Sequence, residues 1–233
     1  KGFHMPHGYT VAWVGWQADV PRRDGLMALE VRRARGVSGF IRCEMRPNKR
    51  VETLPLADRY HIPNPTLDLN DAQARLLMRE HAGAPAVEIQ RSTWRFSDSG
   101  HIELKGGFTP GAIYDVIYRS AEPPVVGLGF LAVRDAGAWL RWADAASGNP
   151  CAGTLERAYL FGVSQTGRFL RHMLYLGLDA DEQGRMVFDG VIPHIAGGRR
   201  GEFNLRLGQT SLNAKEWVRE LPPFQGGQMF ARV

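Results

Sequence analysis

The chain has 233 residues, 44% of them hydrophobic and 23% charged, the balance of a globular domain rather than of a disordered or fibrous one. No apolar run reaches the roughly 20 residues that a membrane-spanning helix needs. A net charge of +5, carried by 25 Arg and 4 Lys with acids interspersed and no basic helix, argues against nucleic acid as a partner, and the two cysteines, Cys43 and Cys151, lie far apart without metal-ligand spacing and read as buried thiols.

In chain order, residues 10–14 (Thr-Val-Ala-Trp-Val) read as a buried β-strand that ends at Gly15-Trp16-Gln17. A domain rarely opens so abruptly, and the first residue is Lys1, so the expectation is a piece of a longer protein. From Pro21 the texture changes. Strand-like segments at 37–44, 86–96, 102–104 and 113–119 are separated by turn signals such as Arg46-Pro47-Asn48 and Ser97-Asp98-Ser99-Gly100. Residues 71–80 read as a short helix or, equally, as a turn. This part is expected to be an antiparallel β-rich subdomain.

The pattern then returns to α/β. Residues 127–146 read as a helix stopped by Ser147-Gly148-Asn149-Pro150. Residues 158–163 read as a buried strand, 165–176 as a helix closed by Gly177, and 189–196 as the next strand. Strand, helix, strand in this order implies parallel pairing with right-handed crossovers. The expected divisions are 1–20, 21–120 and 121–233.

The strand–helix junction, Gly162-Val163-Ser164-Gln165-Thr166-Gly167, carries the chemistry. A short strand that turns sharply around a serine into a helix is a nucleophile elbow: the tight turn lifts the hydroxyl clear of the sheet, and the helix N-terminus aims N–H groups at developing negative charge. The usual pattern has glycine two residues after the serine. Here Thr166 stands in that place and glycine follows at Gly167, which makes the turn tighter. The competing structural reading is an ordinary turn in which Ser164 caps the helix.

Four blocks, Gly8 to Gln17, Val126 to Asp135, Gly162 to Arg171 and His194 to Asn204, resemble the α/β-hydrolase superfamily, and within it the bacterial group described as alpha/beta hydrolase domain proteins. In that group Ser-Gln-Thr-Gly at the elbow is familiar. The resemblance implies a partial α/β-hydrolase parallel sheet with flanking helices: residues 10–14 would be its fourth strand, 158–163 its fifth and 191–196 its sixth, and the β-rich segment an insertion. It also implies attack by Ser164 on an acyl carbon, with the backbone N–H of Gln165 as one oxyanion donor.

In the superfamily the acid and the histidine follow the serine. His172 lies roughly 12 Å along the helix axis from Ser164, too far to share its proton, and reads as a solvated helix residue. His194 ends the sixth strand on the edge where sites gather in open α/β sheets; it reads as pocket lining or as a hydrogen-bonded structural histidine rather than as the base. The acid and base are expected beyond Val233 and the second oxyanion donor before Lys1, so little turnover is expected from this chain alone. Trp16 and Gln17, on the same edge, read as substrate-binding residues, with core packing the equal alternative for Trp16.

The function expected is a serine hydrolase of esterase type acting on a small-molecule ester or related acyl bond. The rivals are a non-catalytic binding or scaffold protein of the same fold and a serine acyltransferase. With no metal-ligand cluster, phosphate-binding glycine loop or dinucleotide fingerprint in the sequence, no cofactor or metal is expected. Relatives of this group often look exported; the compartment and the oligomeric state stay open.

Overall fold

The computed structural model describes residues 4–198 and 200–211; Arg199 and residues 212–233, which end the third expected division, lie outside them. Seven strands fill the β-rich part: β1 (Ser38–Met45), β2 (Val51–Pro55), β3 (Arg75–Arg79), β4 (Val87–Ile89), β5 (Trp94–Asp98), β6 (His101–Phe108) and β7 (Ile113–Ala121). They form two antiparallel sheets, of order β1-β7-β3-β4 and β2-β6-β5. Alternate residues of both sheets, among them Ile41, Leu76, Trp94, Ile102, Phe108 and Val116, share one apolar core. The opposite face of β7 buries a charge: Asp115, 1% exposed, accepts two hydrogen bonds from Arg42 and one from Arg79.

Two expectations here need revision. The strand over 86–96 is two strands, because a 3₁₀ turn at Arg91–Thr93 sends β4 and β5 into different sheets. Of the two readings of 71–80, the turn is the one that forms, and it leads into a strand. Asp68 and Asp71 accept from the N–H groups of Asn70 and Gln73 in successive Asx turns. Leu76 and Met78 then point into the core as β3 pairs with β7 and β4.

The α/β part contains α1 (Leu128–Trp142), β8 (Tyr159–Val163), α2 (Gln165–Tyr175) and β9 (Gly190–His194). Helix α1 stops where Asn149, 4% exposed, donates its side-chain amide to the carbonyls of Trp139, Leu140 and Ala143, satisfying groups a helix end leaves orphaned. Helix α2 stops at Gly177, whose φ of 68° suits glycine, and the Leu178 N–H closes back on the Met173 carbonyl. Phe130 and Val133 of α1, and Phe169, Leu170 and Met173 of α2, form a second apolar core with Val187, Phe188 and Phe203.

β8 and β9 pair in parallel, in register from Tyr159–Gly190 to Val163–His194. Among the described residues this pair is the whole of the parallel sheet, so the expected hydrolase sheet is present only in part. Residues 10–14, expected as a buried fourth strand, form no strand, and Trp13 is 81% exposed. Among the described residues no neighbouring strand offers a ladder there. The chain after them is instead tied back on itself, the Leu29 N–H bonding to the Gln17 carbonyl. Residues 158–163 are likewise less buried than expected: Leu160 faces the helices, while Tyr159, Phe161 and Val163 are exposed on the other face.

Candidate active site

The residue that joins β8 to α2 has a backbone few residues adopt. Ser164 has φ 56° and ψ −113°, outside the regions open to ordinary L-residues, at an expected cost of about 1–3 kcal/mol. The surroundings hold it there. Its N–H donates to the His194 carbonyl at 2.9 Å, extending the parallel ladder one step, and its carbonyl accepts from the Arg168 N–H at 2.9 Å, opening the helix. The side chain makes no capping bond and is exposed, so the reading of Ser164 as a helix cap does not describe it.

Two glycines make the turn possible, and their spacing explains the departure at Thr166. A Cβ on Gly162 would lie 2.8 Å from the Thr166 side-chain methyl and 2.9 Å from its backbone. A Cβ on Gly167 would lie 2.7 Å from the His194 carbonyl oxygen and 2.9 Å from that of Gly162. The close approach of helix to strand thus falls on Gly167 rather than on residue 166. Thr166 fits because the residue it rests against, Gly162, has no side chain.

Ser164, Gln165 and His194 come together at one edge of the β8–β9 pair. Gln165 is the first residue of α2, so its N–H is one of the donors that a helix start leaves without an intrahelical acceptor. His194 is exposed, and it meets Ser164 through its backbone carbonyl. Among the described residues no side chain is hydrogen-bonded to the Ser164 hydroxyl.

Trp16 and Gln17 lie elsewhere. Trp16 stacks on Phe169 with ring centroids 4.3 Å apart and meets Phe203 edge-on at 5.0 Å. Gln17 donates to Asp19 at 2.6 Å. Both line a cavity of about 40 Å³ beside the start of α1, with Gly127, Asn204 and Thr210 among its other walls. Ser164, Gln165 and His194 do not line it. The Asn204 side-chain nitrogen is buried with no hydrogen-bond partner among the described residues.

His172 is half-buried rather than solvated, edge-on to Phe130 at 5.1 Å. Burial, with the nearby Arg200 charge, pushes its pKa down to about 4. Ile195, expected inside the sixth strand, instead follows β9, which ends at His194: it has φ 51° and is 73% exposed. Nothing in the local sequence marks it, since isoleucine is a poor choice for that backbone. Among the described residues there is no group of His, Cys, Asp and Glu that could hold a metal ion, and no helix is long and apolar enough to cross a membrane.

A family model described as alpha/beta hydrolase domain matches residues 84–224, more than half of the chain and the whole strand–serine–helix unit. Comparison with curated proteins and with solved structures finds no match.

Proposed function

Because the chain belongs to the alpha/beta hydrolase domain family, we propose that it is a serine hydrolase that cleaves an ester or related acyl bond of a small molecule through an acyl-Ser164 intermediate. One observation carries the reading: an exposed serine held at φ 56°, ψ −113° between a parallel strand and the start of a helix. Strain of this kind persists only where its surroundings enforce it, and it gathers where chemistry is done.

In the proposed reaction Ser164 Oγ forms a bond to the carbonyl carbon as a general base takes its proton. The carbonyl oxygen becomes an oxyanion beside the Gln165 N–H at the head of α2, where a fixed donor stabilises the charge without reorganising. The C–O bond to the leaving group then breaks and the alcohol departs with a proton. Water attacks the acyl-serine in the second half, releases the acid and restores the hydroxyl. His194 stands beside this centre as a substrate contact. Trp16 and Gln17, in a separate cavity, would act on substrate only through a part of it that reaches that cavity.

The test is covalent labelling of the full-length protein with a fluorophosphonate probe. The expected result is modification of Ser164 that Ser164→Ala abolishes. Cleanly folded protein with no labelling, or labelling indifferent to the substitution, would remove the proposal.

A further inference from the structure

We propose that Ile195 is a specificity-determining residue of the Ser164 site, contacting a bulky apolar acyl group of the substrate; the idea rests on the reading of Ser164 as the nucleophile. Three observations lead to it. First, position: the parallel pairing of β8 and β9 ends at Val163–His194, so Ser164 and Ile195 are the residues that follow the two neighbouring strand ends. The Ser164 N–H bond to the His194 carbonyl ties the two strand ends together at that point.

Second, conformation: Ser164 and Ile195 both have positive φ, 56° and 51°. The left-handed region suits glycine or asparagine, and a β-branched residue there is an outlier. Two such residues end two neighbouring strands at one edge. Third, exposure: Ile195 is 73% exposed, so burial within the described residues does not offset the strain. An apolar side chain that is strained and left in water gains its contact when something else covers it.

The polar functions at this edge are the Ser164 hydroxyl, the Gln165 N–H and the exposed His194 ring, and the first two act on the scissile carbonyl. Ile195 offers the adjoining apolar surface. The group that fits is therefore the hydrocarbon chain next to that carbonyl. The substrate class is esters of bulky apolar acids rather than of acetic acid.

The experiment compares hydrolysis of p-nitrophenyl acetate and p-nitrophenyl hexanoate by the full-length protein and by its Ser164→Ala, Ile195→Gly and Ile195→Asn variants. Glycine and asparagine both accept the backbone of residue 195, so neither substitution threatens folding. The wild type should favour the hexanoate. Both Ile195 variants should lose about 10-fold in kcat/KM on it while acetate stays within about 2-fold, in keeping with what one apolar contact is worth in discrimination. Thermal unfolding adds a readout independent of activity: Ile195→Gly, relieved of strain, should unfold about 2–4 °C higher. An unchanged hexanoate-to-acetate ratio, or an equal loss on both esters, overturns the role of Ile195 and leaves the nucleophile standing. Wild-type rates from Ser164→Ala overturn both.

Discussion

Gly167→Ala probes the close approach of α2 to the strands beneath it. The added methyl would sit 2.7 Å from the His194 carbonyl oxygen, 2.9 Å from the Gly162 carbonyl oxygen and 3.3 Å from the Pro193 carbonyl carbon. Ordinary contacts begin near 3.5 Å, so the first turn of α2 must lift by about 0.6–0.8 Å. All three obstacles are backbone of the ladder that carries β8 and β9, so none can swing aside. Overpacking of this kind costs about 1–3 kcal/mol, against about 1 kcal/mol gained by alanine over glycine within a helix. The net expectation is a loss of up to about 2 kcal/mol in denaturant unfolding. The same lift moves Ser164, and misplacement near 1 Å can cost about 100-fold in rate, so fluorophosphonate labelling should slow by about 10- to 100-fold. Gly83→Ala is the control: its new methyl meets only the His81 ring, at 3.8 Å, and stability should stay within about 0.5 kcal/mol. A Gly167→Ala protein as stable as wild type and labelled at the wild-type rate would refute the packing argument for the elbow.

Ser164→Gly should exceed Ser164→Ala in stability by about 1 kcal/mol in chemical denaturation, because only glycine occupies φ 56°, ψ −113° without strain; equal stabilities would show that the turn stores none. Asp115→Asn should lose about 1–3 kcal/mol in the same assay, since it takes the charged acceptor from Arg42 and leaves the buried Arg79 paired with Glu44 at 3.5 Å; a loss under about 0.5 kcal/mol would mean that the cluster opens to water. Stability should also fall with pH. His172 has its folded pKa pushed down to about 4 from an ordinary 6.5, so between those values the unfolded chain binds a proton that the folded one refuses. The contribution is therefore complete above about 6.5 and is lost as the pH drops towards 4, and His172→Gln should flatten that stretch of the unfolding profile.

The chain around Ser164 announces itself in sequence because its signals are local. Apolar strand residues, a serine between glycines and an amphipathic helix closed by Gly177 each act within a few positions, and β8 and α2 form where such signals place them, while β9 stops at His194, two residues short of its expected end. Residues 10–14 carry the same apolar signal and form no strand, because a strand depends on a partner and composition does not reveal whether one lies alongside. Residues 71–80 show the converse. Asp68 and Asp71 act as turn formers through bonds to their own neighbours, and Leu76 and Met78 serve a sheet whose other members lie far away in sequence. At the site, Ser164 was legible from its frame, whereas the role of Gly167 needed the position of β9. Trp16 and Gln17 belong to one local apolar motif with an edge-of-strand look, yet their contacts, Phe169, Phe203 and Asp19, turn them into a different cavity. Ile195 was hidden because its distinction lies in its backbone angle and not in its residue type.

The most direct trial of the account is to find the covalent bond it requires. Full-length protein mixed with p-nitrophenyl acetate, quenched in acid within the first turnover and digested, should yield one acetylated peptide, with the acetyl group on Ser164, and none after Ser164→Ala. Ester cleavage without an acetyl group on residue 164, or the same acetylation in the alanine variant, would contradict it.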